Sequence, residues 1–124
     1  MGKKLTKQQI DSLENEPLIG LECDGYSIEI GRLIKKSKVR FLLMIEGDID
    51  PNWLIEPDKH EQSKFYRPAI KYYKASKRSK KMSKVDTGMR KIDYASMGQA
   101  LRYLNKVCDS IELKHVNYIN QVLE

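Results

Sequence analysis

Cations and aromatic side chains are concentrated in residues 59–91 of this 124-residue chain, which we call the basic segment. It contains twelve of the 23 lysines and arginines but only two of the 17 acids, so its net charge is +10, whereas the rest of the chain carries −4. Phe65, Tyr66, Tyr72 and Tyr73 lie among these cations. Because cations neutralise phosphates and aromatic rings stack on bases, this mixture indicates binding to nucleic acid.

Thirteen side chains of the basic segment are the predicted contacts with nucleic acid. Each lysine or arginine near a phosphate releases condensed counterions, which drives affinity without reading sequence. Lysine outnumbers arginine, which favours backbone neutralisation with weak sequence specificity over bidentate recognition of bases. The pattern does not distinguish DNA from RNA, or single from double strands. The predicted contacts are Lys64, Arg67, Lys71, Tyr72, Tyr73, Lys74, Lys77, Arg78, Lys80, Lys81, Lys84, Arg90 and Lys91.

The same charge pattern supports two other interpretations. One is a solvated loop whose tyrosines pack inward. The other is a contact with an acidic protein surface or a nucleoprotein complex. Small, highly charged chains without motifs are typical of phage and mobile-element proteins. The second functional hypothesis is therefore an interaction protein that inhibits or modulates an enzyme or nucleoprotein complex, in the manner of an anti-restriction or anti-CRISPR protein.

Five acids within residues 46–58 are the second group with chemical potential. They follow a predicted strand, and Asp48 and Asp50 are the candidate ligands of Mg²⁺ in a third hypothesis, a metal-dependent nuclease. A calcium-loop pattern that starts at Asp48 fails later, because Trp53 replaces the required glycine and Lys59 the required glutamate. Asp-Ile-Asp-Pro-Asn is also ordinary turn chemistry. We therefore predict no metal site and no cofactor.

Recognisable enzyme motifs are missing from the sequence. It contains no nucleophile elbow, Walker loop, dinucleotide fingerprint or paired C-x-x-C, so we predict a non-enzymatic protein without catalytic residues. No apolar run approaches the roughly 18 residues of a membrane span, and the start lacks an apolar signal-peptide core. We expect a cytoplasmic protein with no membrane partner. Cys23 and Cys108 lack metal-ligand spacing and are expected to be reduced and buried, and their separation stays open.

The first 30 residues predict a helix and a β-hairpin. Thr6 and Gln9 form a capping-box pattern, which predicts a helix over residues 7–14 that Pro17 ends. Alternating apolar side chains follow on both sides of Asp24-Gly25. This pair is typical of a two-residue hairpin turn, so we predict two antiparallel strands here.

The middle of the chain predicts one further strand and several weaker elements. A polar turn at residues 35–37 leads into residues 39–45, whose two apolar faces predict a central or covered strand. A helical turn is expected around residues 53–55, and a helix kinked or started by proline over residues 61–74. Residues 75–91 lack apolar periodicity, so we expect a mobile segment or an extended hairpin arm.

The C-terminal third predicts helix. Apolar residues recur at spacings of three and four from Met97 to Ile111, and the pattern shifts phase from Leu113 onward. A break at Asp109-Ser110 predicts two helices, and one long curved helix is the alternative. The sequence therefore predicts one α+β domain. It consists of a three- to four-stranded antiparallel meander, a short N-terminal helix, and one broken or two C-terminal helices on one face. The basic segment is a flexible insertion or arm, and a homodimer stays an open alternative.

Overall fold

A five-stranded antiparallel sheet belongs to the larger of two compact units in this chain. The computed structural model describes residues 3–74, 78 and 82–116. Residues 50–91 form the inserted unit, and the described residues on either side of it form the main unit. In chain order the helices and strands are α1 (Lys7–Leu13), β1 (Leu18–Cys23), β2 (Tyr26–Lys35), β3 (Lys38–Ile45), α2 (Pro51–Ile55), β4 (Pro68–Lys74), β5 (Met82–Arg90), β6 (Asp93–Tyr94), α3 (Met97–Val107) and β7 (Ile111–Val116).

Two tight turns set the order of the strands in the main unit. The sheet runs β6-β3-β2-β1-β7. Asp24 and Gly25 have positive φ angles of 49° and 88°, as the turn between twisted antiparallel strands requires, and the predicted hairpin is confirmed. Lys36 and Ser37 connect β2 to β3 in the same way, with φ angles of 50° and 64°.

One face of the sheet supplies the core of the main unit. Alternate residues of each strand point to this face, and their burial gives the sheet an apolar side that helices cover. Leu42 and Met44 of β3 point to the opposite face and are half-buried. The buried hydrophobic residues of the strands are Ile19, Leu21, Cys23, Ile28, Ile30, Phe41, Leu43, Ile45, Tyr94 and Ile111.

The two helices of the main unit begin at side-chain caps. Thr6 accepts a hydrogen bond from the backbone N–H of Gln9, and the Gln9 side chain accepts one from the N–H of Thr6, so the predicted capping box is confirmed. Ser96 caps α3 through the N–H of Gln99 at 3.0 Å. α1 packs against α3, and α3 contacts β3 and β6.

The last described element is a strand, and the predicted second C-terminal helix is wrong over residues 111–116. β7 pairs antiparallel with β1, for example Ile111 with Cys23. The chain does break after α3, near Asp109-Ser110, as predicted. Leu113 and Val116 fit a helical spacing. A strand forms here because the N–H and C=O groups along this edge of β1 need hydrogen-bond partners, and a second helix would have left them to water. The residues beyond 116 lie outside the described part.

The sheet is therefore larger than the three or four strands predicted, since β6 and β7 each add to an edge of the meander. The α+β class is confirmed. The longest described helix, α3, has 11 residues, and no helix within the described ranges is long and apolar enough to cross a membrane. Cys23 and Cys108 are both buried, as predicted.

The inserted unit combines short helical turns with a second, two-stranded sheet. Asp50 caps α2, and Pro51 stands at its first turn, where no N–H is required. The helix predicted over residues 61–74 is wrong: a 3₁₀ turn at Glu61–Phe65 leads into strand β4. Pro68 is compatible with the first position of a strand, and β5 supplies the hydrogen-bond partners for the residues that follow.

Candidate nucleic-acid interface

Strands β4 and β5 hold six of the thirteen predicted contacts. They pair antiparallel, with Lys71 opposite Val85, Tyr72 opposite Lys84, and Tyr73 opposite Ser83. Since side chains alternate between faces, Tyr72 and Lys84 point to one face, and Lys71 and Val85 to the other. The strand pair therefore presents a lysine on each of its two faces.

Local hydrogen bonds hold the base of this strand pair. The Thr87 hydroxyl donates to the carbonyl of Ala69 at 2.7 Å, and Asp86 accepts from the N–H of Gly88 at 2.8 Å. Gly88 has a positive φ of 76°, which only glycine adopts without strain, and the register shifts between Pro68 and Ile70. The register shift marks an irregularity in the ladder at the start of β4.

Among the residues that the structure describes, Tyr72 is the exposed aromatic side chain that could stack on a base. It is 63% exposed, and Lys84 stands directly across the ladder, where opposite Cβ atoms lie about 5 Å apart. A nucleotide whose base stacks on the Tyr72 ring would therefore have an ammonium group near its phosphate. Tyr73 lies in β4 by its backbone, and its side chain falls outside the described part.

Phe65 and Tyr66 lie among the cations in the sequence and were part of the mixture that indicated nucleic acid, although neither was a predicted contact. Both are fully buried. The ammonium of Lys64 lies 5.2 Å from the centre of the Phe65 ring, and the Arg90 guanidinium donates to the carbonyl of Tyr66 at 3.2 Å. The aromatic side chains at positions 65 and 66 therefore belong to the interior, and the exposed ring among the described residues of β4 is that of Tyr72.

The predicted cations divide into two groups by their contacts. Lys71, Lys84 and Lys91 are exposed, and none of them forms an ion pair among the residues that the structure describes. Lys64, Arg67 and Arg90 are half-buried, and Lys64 and Arg90 make the contacts given above. The side chains of the first group reach solvent, where an external anion can approach them.

The other predicted contacts have less structural definition. Arg78 is exposed and lies in a turn. Lys74 belongs to β4 by its backbone. Lys77, Lys80 and Lys81 lie outside the described residues, so their assignment as phosphate contacts stays a prediction from sequence.

The acids proposed for a metal site make local hydrogen bonds. Asp48 accepts from the N–H of Ile49 at 2.8 Å, and Asp50 accepts from the N–H of Asn52 at 2.9 Å. Glu46 accepts from the N–H of Ser27 at 2.8 Å. These are the turn and capping roles of short acids. Within residues 3–74, 78 and 82–116, no three His, Cys, Asp or Glu side chains are grouped as a metal ion would require.

A second cationic surface, on the hairpin between β2 and β3, escaped the sequence interpretation. Residues 32–40 contain five lysines and arginines and no acid, but the lysine pair was interpreted only as a polar turn. The hairpin borders a pocket with a volume of about 310 Å³, which we call the turn pocket. The sequence feature that could have identified this surface is the run of bases without acids over residues 32–40. Its lining residues are Lys35, Lys36, Lys38, Arg40 and Asp93.

Arg40 and Asp93 form the fixed wall of the turn pocket. The guanidinium Nε and Nη2 donate to the two carboxylate oxygens at 2.9 and 3.0 Å, a bidentate pair joining β3 to β6. Hydrogen bonding to Asp93 raises the pKa of Arg40 above its ordinary value, so this guanidinium stays charged. The pair orients Arg40 while neutralising most of its charge.

The chain matches no family model, no curated protein and no solved structure. The function is therefore inferred from the charges and the exposed Tyr72 ring described above.

Proposed function

We propose that this protein is a small, non-enzymatic nucleic-acid-binding protein that grips the phosphate backbone through strands β4 and β5 with weak sequence specificity. The observation that supports this proposal most directly is the exposed Tyr72 ring opposite Lys84, which forms no ion pair among the described residues. A stacking surface beside a free cation matches a nucleotide, which carries a flat base and a phosphate. A cytoplasmic location is part of the same proposal.

The lysine charges of the strand pair also support the proposal. Lys71 and Lys84 are lysines on opposite faces of a narrow strand pair, and both lack a carboxylate partner among the described residues. Lysine is a compact point charge that neutralises phosphates without selecting a base. We therefore expect affinities that fall steeply with salt and differ little between nucleotide sequences.

The test is oligonucleotide binding measured against salt concentration. In Lys71→Glu/Lys84→Glu we expect the negative slope of log K against log salt to become shallower, by about 1.4 units for single strands and about 1.8 for duplexes. Fluorescence anisotropy with labelled DNA and RNA, each single- and double-stranded, measures the slope and identifies the preferred form.

Lys4→Glu/Lys7→Glu is the matched control, because it changes net charge equally at two exposed lysines of the main unit. We expect this variant to keep a slope close to that of the original protein. Equal slopes in the original protein and in the β4–β5 variant would contradict the proposal.

A second candidate function has its own supporting observation. Met82, Val85 and Met89 of β5 are 53%, 45% and 44% exposed, and a two-stranded sheet has two open edges. Exposed apolar side chains and free strand edges suit a protein partner that adds a strand. The protein would then inhibit or modulate an enzyme or nucleoprotein complex.

Nuclease digestion of a lysate before affinity purification separates the two functions. Partners that depend on bridging nucleic acid disappear after digestion, as the first proposal requires. Partners that survive digestion and are lost in Val85→Asp support the second function, and Lys4→Glu is the control variant that should retain them.

A further inference from the structure

The turn pocket on the β2–β3 hairpin is a cationic site in the main unit, separate in sequence from the basic segment. Lys35, Lys36 and Lys38 line it, all three are exposed, and none forms an ion pair among the described residues. Three like charges within four positions repel one another, and Asp93, the acid in the lining, is occupied by Arg40. Binding an anion would relieve this repulsion.

Backbone geometry holds the lysines at the end of the strand ladder. Lys35 pairs directly with Lys38, and the two residues between them adopt the positive φ angles of a tight turn. Lys35 and Lys38 point to the same face as Arg40, since the pairing alternates along β2 and β3. The hairpin therefore arranges three ammonium groups and one oriented guanidinium around one concave surface.

The chemistry of this lining matches a phosphate group. Lysine ammonium groups donate hydrogen bonds in any direction, and a guanidinium already oriented by Asp93 presents its remaining N–H groups at little entropic cost. The volume of about 310 Å³ is large enough for a phosphate group. A carboxylate would satisfy fewer of these donors, because it has two oxygens.

A nucleic-acid backbone fits this site better than a lipid surface does. Ile34 and Val39 are 67% and 47% exposed and pair with each other, which places them on the face opposite to Lys35 and Lys38. A bilayer that contacted this aliphatic pair would lie against one face of the hairpin, whereas the turn pocket is on the other face. A phosphodiester strand engages the pocket without requiring the aliphatic pair.

We infer that the turn pocket binds phosphodiester groups of nucleic acid and gives the protein a second backbone contact, beyond strands β4 and β5. This inference rests on the proposed function for its ligand, but it concerns different residues in a different unit. It predicts that each unit contributes its own share of the salt dependence.

The experiment compares Lys35→Glu/Lys36→Glu/Lys38→Glu with Lys3→Glu/Lys4→Glu/Lys7→Glu, in which an equal change of charge falls on exposed lysines at the N-terminus. Both variants are titrated with labelled single- and double-stranded oligonucleotides over a range of salt. We expect the pocket variant to lose at least about tenfold in affinity at low salt and about 2–3 units of salt slope, and the control variant to lose little. Circular dichroism confirms that both variants are folded.

The outcomes separate this inference from the proposed function. If the pocket variant keeps the original slope while Lys71→Glu/Lys84→Glu loses slope, the proposed function stands and the second contact is refuted. If neither variant loses slope, both are refuted. Vesicles of phosphatidylcholine and phosphatidylserine form the third arm. Loss of vesicle binding in the pocket variant with unchanged oligonucleotide binding would assign the site to lipid headgroups and overturn the inference.

Discussion

The imidazole ring of His115 in β7 lies directly against Gly20 in β1, its partner across the ladder. A Cβ atom at position 20 would overlap the ring atoms Cε1, Nε2 and Cδ2. The pairing of β1 with β7 shifts register beside this contact, between Gly20 and Leu21. The missing side chain at position 20 therefore provides the space that the histidine ring of the edge strand occupies.

Gly20→Ala should destabilise the protein by about 1–3 kcal/mol, because the methyl group displaces the ring and strains the pairing of β7. Urea denaturation measures the free energy of unfolding. Adding His115→Ala should recover most of this loss, since the obstructing ring is then removed. Purely additive effects of the two substitutions would show that the contact does not cause the strain.

Tyr72→Ala should weaken binding to single-stranded nucleic acid about 5-fold to 150-fold, which corresponds to about 1–3 kcal/mol of base stacking. Tyr72→Phe keeps the ring and should bind within about twofold of the original protein, because stacking does not need the hydroxyl. Fluorescence anisotropy measures both dissociation constants. Similar losses in the two variants would exclude stacking as the role of this side chain.

Asp93→Asn should change stability and binding in opposite directions. Breaking the bidentate pair with Arg40 costs about 1 kcal/mol, since the pair is partly exposed. The same substitution removes an acid from the turn pocket and releases a charged guanidinium. We therefore expect a lower midpoint in urea but tighter oligonucleotide binding, with a salt slope steeper by up to about 0.9. Weaker binding in a folded Asp93→Asn variant would contradict a phosphate site here.

Lys114 should stabilise the folded state only below its own pKa. Hydrogen bonding to Glu112 and the charges of Glu112 and Glu22 raise the pKa of Lys114 above its ordinary value. A raised pKa in the folded chain means that the contribution is complete below the unfolded pKa of about 10.4 and is lost as the pH rises through the folded value. The difference in urea midpoint between the original protein and Lys114→Met should therefore be constant up to about pH 9 and shrink above about pH 10.5. A difference that grows above that pH would contradict this linkage.

The protein should leave nucleic acid intact in the presence of metal. Asp48 and Asp50 already accept local backbone hydrogen bonds, so we expect no cleavage of supercoiled plasmid after long incubation with Mg²⁺ or Mn²⁺. Gel electrophoresis resolves nicked and linear products. Cleavage that disappears in Asp48→Asn/Asp50→Asn would establish the nuclease function instead.

Elements defined by neighbouring residues were predictable from the sequence. The Thr6–Gln9 capping box and the Asp24-Gly25 hairpin depend on contacts within a few residues, so short patterns are sufficient. The concentration of charge in the basic segment is likewise a property of the sequence. It indicates a polyanion as partner, and that indication stays a prediction until binding is measured.

Elements defined by distant partners were not predictable in the same way. Residues 111–116 fit a helical spacing but pair with β1, about 90 positions earlier in the chain. Phe65 and Tyr72 both stand among lysines, yet Phe65 is buried and Tyr72 is exposed. Local periodicity cannot distinguish these cases, because burial depends on which surfaces the whole chain brings together.

The helix caps, the first hairpin, the α+β class and the uneven distribution of charge can be read from the amino-acid sequence alone. Three features depend on the folded chain: the strand at residues 111–116, the exposure of each aromatic ring, and the grouping of Lys35, Lys36 and Lys38 with the Arg40–Asp93 pair. The physical reason is that propensity, capping and net charge are sums over neighbouring residues. Strand pairing and burial instead depend on the free energy of contacts between residues far apart in the chain.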